Sequence, residues 1–130
     1  MQEAPKFDWL LEKLTEDGPG VEVEDALVIK CAAFIWANVH RSLDVPSIVR
    51  QVPATRRTLE RRFRNRFGRT IRQVVAFARL EVAKRLLTES SLPIRSVAER
   101  AGYSSSDWMG KAVRRGTRMT PSEYRRRSQE

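Results

Sequence analysis

The run DVPSIVRQVPATRRTLERRFRNRFG, residues 44–68, decides the fold. Asp44 precedes a short apolar-periodic stretch with Pro46 in its first turn, where a missing N–H is harmless. Ile48, Val49 and Val52 make the buried face of that stretch, and Pro53-Ala54 ends it. Thr55 can cap a second helix, Arg56 to Phe67, on which Leu59, Phe63 and Phe67 recur at i, i+4 and i+8 along one stripe. Gly68 supplies the C-cap. A short helix, a tight turn and a second helix with one apolar stripe form the helix-turn-helix pattern.

Working outward, Thr70-Ile-Arg-Gln73 is a capping-box start for a long helix over 70–88. Its apolar set, including Ile71, Val74, Ala78, Ala83 and Leu87, covers more than one narrow face. Such a helix packs on two sides, which suits a bridge between two subdomains. Pro93 opens a further short helix, Ile94 to Ala101, ended by Gly102. Ser104-Ser-Ser-Asp107 offers a second capping box for a helix through about Arg115, with Ser104 as the cap. Thr120-Pro-Ser-Glu123 starts a short terminal helix over 120–128. Upstream, Val28, Ile29, Ala32, Ile35, Trp36 and Val39 give helical spacing from about Asp25 to Arg41. Residues 1–24 are an acidic linker or leader, with room for one short helix at Phe7 to Leu14 before Gly18-Pro-Gly20. No segment alternates like a strand, so the chain is expected to be all-α.

The pattern occurs twice. Ile48, Val52, Pro53 and Thr55 are matched 49 residues later by Val97, Ala101, Gly102 and Ser104. Leu59, Phe63 and Thr70 are matched 50 residues later by Met109, Val113 and Thr120. Two helix-turn-helix units, 45–68 and 94–117, therefore flank the bridging helix.

Charge separates along the chain. The 130 residues carry 25 Lys and Arg against 16 Asp and Glu, a net of +9. Residues 1–30 hold 3 basic and 8 acidic side chains, whereas residues 31–130 hold 22 basic and 8 acidic, of which 20 are arginine. The planar guanidinium fork suits phosphates and guanine edges, which an ammonium matches less well. A genome-wide preference for arginine would raise the same total but would not cluster it. Between Arg56 and Arg69 there are seven arginines and one acid, Glu60.

With Phe63 as the centre of the buried face, a 100° step puts Arg57, Arg61 and Arg64 at about 120°, 160° and 100°, turned away from the core. Thr58 and Asn65 fill the same face. A helix surfaced with guanidinium groups can enter a major groove, where arginine pairs bidentately with guanine O6 and N7. Arg62 and Arg66 flank the stripe and suit phosphates. Glu60 either accepts from a cytosine amino group or pairs along the helix with Arg56, Arg57 or Arg64. In the second unit the outward positions are Ser106, Asp107, Gly110, Lys111 and Arg114. Gly110 and Gly116 each lower helix propensity there by about 1 kcal/mol relative to alanine.

Other classes find little support. One cysteine, Cys31, excludes an internal disulfide and fits a reducing cytoplasm. One histidine, His40, cannot with it build a zinc site or a catalytic relay; both suit ordinary packing and surface positions. Neither a metal nor a cofactor is expected. No nucleophile–base pair or phosphate-cradling loop appears, so no enzyme is expected. No apolar run is long enough to cross a bilayer, and the N-terminus lacks an export-signal pattern.

Thr55-Arg-Arg-Thr-Leu-Glu-Arg-Arg-Phe63, Gly68, Arg79-Leu-Glu-Val-Ala83, Leu86-Leu87, Ile94, Val97-Ala98, Ala101-Gly-Tyr-Ser104 and Thr120-Pro-Ser-Glu-Tyr-Arg125 together resemble the AraC/XylS DNA-binding domain. The resemblance covers residues 25–127 and implies a seven-helix domain over 25–130. It also implies two recognition helices that enter successive major-groove segments on one face of the DNA. By position it assigns base readout to Arg57, Glu60 and Arg61, and to Ser106, Asp107, Trp108 and Lys111. Asp107 has a competing role as the N3 residue of the capping box, and Trp108 a competing place in the core beside Met109. Backbone contacts fall to Arg56, Arg62, Arg64, Arg66, Thr70 and Arg114.

The chain departs from the family's pattern at Pro53, where glycine is usual, and at Met109 and Val113, where aromatics are usual. It departs again at Gly116-Thr117-Arg118, which replaces an aromatic-plus-glycine helix ending. The first helix and first unit look like the branch that follows a sugar-binding module in xylose-operon regulators.

The function these features imply is a sequence-specific regulator of transcription that binds double-stranded promoter DNA. It would form the DNA-binding part of an effector-responsive activator, with RNA polymerase as a partner and a sugar-class effector held by a sensing domain that the short acidic leader cannot supply; the other reading is a stand-alone activator of the short, monomeric type. Two rivals share the arginine-rich surface: a nonspecific nucleic-acid binder, and a protein-interaction module for an acidic partner. Single-stranded RNA binding wants exposed aromatics for stacking, and most aromatics here fall in core stripes.

Overall fold

Side-chain caps start most of the seven helices found among the described residues. The computed structural model describes residues 26–41 and 43–130. The helices are α1 (Ala26–Asn38), α2 (Val45–Val49), α3 (Arg56–Phe67), α4 (Ile71–Glu89), α5 (Ile94–Arg100), α6 (Ser106–Thr117) and α7 (Pro121–Ser128). No strand occurs among the described residues, as the lack of period-two alternation requires. The acidic leader, residues 1–24, and the short helix expected in it lie outside the described residues.

The described residues form two compact units, which divide within α4 between Val75 and Ala76, with residues 39–41 after α1 belonging to the second. In the first unit α1 packs on α2 and α3, and α2 packs on α3. Its centre is fully buried Val28, Ile35, Ile48, Leu59, Phe63 and Ile71. Phe63 and Phe67 meet edge to face, with ring centroids 5.5 Å apart and planes at 69°, a geometry that aligns a positive ring edge with a negative face. Cys31 is buried, its thiol directed at the Ile48 carbonyl oxygen at 3.8 Å, and His40 is exposed. Both are thus packing and surface positions.

The second unit buries Ala83, Leu87, Val97, Ala98, Ala101, Met109 and Val113, with Leu80, Leu86, Tyr103 and Tyr124 packed around them. Here α6 rests on α5 and α7. The end of α4 carries no basic residue in its own last turn, although its last carbonyls lack intrahelical partners. Arg125 of α7 gives a donor to Leu87 O there, adds one to Leu86 O, which Ser90 already serves, and ties down Leu92 O in the connection after the helix. Its Nε donates to Leu87 O at 3.1 Å, its Nη1 to Leu92 O at 2.7 Å and its Nη2 to Leu86 O at 3.5 Å.

The helix starts follow the expected chemistry with one shift. Asp44 accepts from Ser47 N at 2.9 Å and Thr55 from Thr58 N at 3.1 Å. Thr70 and Gln73 form a reciprocal box, as do Thr120 and Glu123. The shift is at α6, where the N-cap is Ser105, whose Oγ accepts from Trp108 N at 3.1 Å, and not Ser104. Asp107 is therefore at N2, one residue short of the position a capping box requires.

The reason for the shift lies in the turn. Gly102 adopts φ +89°, a conformation closed to Pro53, whose ring holds φ near −65°. The second turn is thus built around a left-handed residue, and two residues, Tyr103 and Ser104, separate Gly102 from the cap where Ala54 alone separates Pro53 from it. The repeat offset becomes 50 before the cap, so that Ser105, not Ser104, is the counterpart of Thr55. From there the two recognition helices match residue for residue. Gly68 ends α3 at φ 68° with its N–H donating to Arg64 O at 2.9 Å. Arg118 ends α6 at φ 65° with its N–H donating to Arg114 O at 2.7 Å. The Gly116-Thr117-Arg118 ending does not shorten α6, because Arg118 takes the left-handed seat that glycine usually fills.

Candidate nucleic-acid interface

The buried stripe of α3 decides what the rest of the helix presents. Leu59, Phe63 and Phe67 are buried to within 1% of complete, which turns Arg57, Arg61, Arg64 and Asn65 outward, all of them exposed. Arg56 is exposed at the first turn, and Arg62 and Arg66 are half-buried on the flanks. The structure thus brings together on one cationic face the arginines that spacing had grouped there. Thr58 is drawn away from that face, since its hydroxyl oxygen accepts from the Thr55 hydroxyl at 3.0 Å.

Glu60 has a use that neither sequence alternative contained. Its Oε1 accepts from Ile71 N at 2.8 Å, so the one acid of the recognition helix caps the first turn of α4. An anionic acceptor on the free N–H groups of a helix start is favourable through both hydrogen bonding and the helix dipole. This contact fixes the angle between α3 and the start of α4 within the first unit and engages the carboxylate away from the outer face. Thr70, expected at a phosphate, serves in the same place as the cap of α4, its Oγ1 accepting from Gln73 N at 3.1 Å.

On α6 the buried positions are Met109 and Val113. Asp107, Trp108, Lys111, Arg114 and Arg115 are exposed, and Ser106 is half-buried. Trp108 does not join Met109 in the core: it is 60% exposed, the one large hydrophobic side chain so placed among the described residues. Lys111 Nζ lies 5.2 Å from the centroid of its ring, a cation–π contact of about 0.5–1 kcal/mol at an exposed site. Arg115 was not singled out by spacing because the helix was expected to end there. With α6 running to Thr117 it sits within the last turn of the helix, about 140° from the centre of the buried face.

Both units therefore carry the same device: a capped helix of 12 residues, sealed to its unit by an apolar stripe and cationic on the opposite side. Guanidinium and ammonium groups on such a face can donate to phosphate oxygens and to guanine O6 and N7. No helix among the described residues is long and apolar enough to cross a membrane.

Known proteins share this arrangement. A family model described as a helix-turn-helix domain matches residues 48–127. The xylose operon regulatory protein of Haemophilus influenzae is 30% identical over 101 residues, which are 78% of this chain and 26% of that protein. The chain thus spans about a quarter of the length of that relative. The structure of the xylose-binding transcription activator XylR aligns with a TM-score of 0.74 and 27% identity over 82% of this chain and 28% of that one. The DNA-binding domain of AdpA, solved in complex with a target DNA, aligns with a TM-score of 0.75 and 28% identity over 79% of this chain and 93% of that one. The chain belongs to the AraC-type helix-turn-helix family of DNA-binding domains.

Proposed function

We propose that the chain is the DNA-binding part of a sequence-specific transcription regulator, acting on promoter DNA as an activator. The observation that carries this is the outer face of α3, where Arg57, Arg61 and Arg64 stand exposed opposite a fully buried stripe. Base readout is assigned to Arg57 and Arg61 in the first unit and to Ser106, Asp107, Trp108 and Lys111 in the second. Arg56, Arg62, Arg64, Arg66, Thr70 and Arg114 are assigned to the phosphate backbone. Glu60 is assigned to positioning α3 through the start of α4, not to a base. The work is binding, not catalysis, and its compartment is the cytoplasm. RNA polymerase is the protein partner, and a sugar-class effector would act through a sensing domain of the kind that the likeness to a xylose operon regulator suggests.

Affinity in such a domain combines salt-sensitive phosphate contacts with a few base contacts. The test is binding to a duplex enriched from random sequence, against a scrambled duplex, at two salt concentrations. A specificity ratio well above one is expected, with both affinities falling as salt rises. A ratio near one sinks the regulator and leaves a nonspecific binder. Arg61→Ala is expected to relax preference at one base position by about 1–3 kcal/mol. Equal weakening on every sequence would make Arg61 a phosphate contact instead.

A further inference from the structure

An indole left 60% in water is costly for a folded domain, and its surroundings say what it meets. Trp108 occupies the third position of α6, with its backbone pinned by the Ser105 cap at 3.1 Å. The first turn of a recognition helix is the part that reaches base edges. Lys111 lies over the indole at 5.2 Å, and Arg114 and Arg115 are exposed on the following turn. That cationic surround matches a polyanion, which commits the apolar ring to duplex DNA. Within a major groove the apolar group on offer is the pyrimidine C5-methyl, carried by thymine and absent from unmodified cytosine.

We infer that Trp108 and Lys111 act as one composite reader, the indole covering a thymine C5-methyl and the ammonium donating to guanine O6 or N7 of the adjoining base pair. This rests on the DNA-binding reading proposed above and assigns the second unit its own base preference. The contact over the ring favours one orientation of the two groups, so the methyl and the acceptor are read at a preferred spacing. Met109, the next residue, faces the core and is fully buried, which prevents the helix from rotating the indole inward.

The test enriches a duplex from random sequence with this chain and then replaces each dT of the enriched site by dU, one at a time, removing nothing but the methyl. Binding is measured for the unaltered chain, Trp108→Ala, Trp108→Phe and Lys111→Ala, each checked for helicity by circular dichroism. One or two positions are expected to lose about threefold to tenfold in affinity with the unaltered chain, the scale of one buried methyl, and under about twofold with Trp108→Ala. Trp108→Phe should keep part of the methyl dependence, and Lys111→Ala should lose the adjoining guanine preference. A dU scan without effect, or one whose effect survives Trp108→Ala, overturns the inference while leaving sequence-specific binding intact. Enrichment of no sequence at all overturns the regulator and this reader together.

Discussion

Replacing Arg125 by alanine removes three donors at once, two from the last turn of the bridging helix and one from the connection that follows it. The guanidinium spans Leu87 O at 3.1 Å, Leu92 O at 2.7 Å and Leu86 O at 3.5 Å. Hydrogen bonds from a charged donor contribute about 1.5–3 kcal/mol each when well formed. The third bond is at the limit of useful length, and water can reach partly buried carbonyls once the side chain is gone. A cation at a helix C-terminus adds about 0.3–1 kcal/mol.

The net loss on Arg125→Ala is therefore about 2–4 kcal/mol, or a fall in melting temperature of roughly 10–25 °C for a unit of this size. Arg125→Lys keeps the charge but replaces a planar fork by a point donor, and should recover less than half of the loss. Urea denaturation of the chain followed by circular dichroism measures this, with exposed Arg127→Ala as a control expected within about 0.5 kcal/mol of the parent. If Arg125→Ala falls within 0.5 kcal/mol as well, or lysine restores full stability, tertiary capping of α4 by this residue is refuted.

Other consequences can be read from single residues. Gly102→Ala should cost about 3 kcal/mol or more: its backbone is left-handed, and a Cβ would fall 1.9 Å from Val39 O. Gly110→Ala should instead stabilise by about 0.5–1 kcal/mol, since a Cβ there meets nothing within 4 Å; thermal melts that move the same way for both would contradict the geometry. Arg118→Gly relieves a non-glycine residue at φ 65° and should raise stability by about 1 kcal/mol, a gain that denaturant titration would show or deny.

Burial pushes the Tyr103 phenol up to about 12 from an ordinary 10.0, so the folded state holds its proton more tightly than the unfolded state. The stability this represents is complete below pH 10 and is lost as pH rises from 10 toward 12. In a rapid alkaline titration of phenolate absorbance, the component that Tyr103→Phe removes should ionise late. Its ionising near 10 in folded protein would be the contrary result.

Much of the fold was legible because local chemistry and long-range packing agree. The stripe Leu59, Phe63 and Phe67 needed no tertiary information, since helical period alone places it, and its burial then dictates which arginines face outward. Caps at Thr55, Thr70 and Thr120 were equally local, each set by a side-chain oxygen within reach of an N–H three residues on. Spacing alone starts α6 one residue early because three consecutive serines, Ser104 to Ser106, can each cap. Only the left-handed turn at Gly102 chooses among them.

What the sequence by itself determined was therefore the set of helices, the double helix-turn-helix and the guanidinium face of α3, all consequences of period and spacing. The tertiary structure alone decided three things. It turned Glu60 from a possible reader into the acceptor at the start of α4, because Ile71 N lies 2.8 Å away across a helix junction. It made Arg125 the cap of a helix that ends 36 positions earlier in the chain. And it left Trp108 in solvent when Met109, one position on, claimed the core. Each is a contact between segments distant in sequence or a competition between adjacent side chains for one buried site, and neither kind leaves a periodic trace.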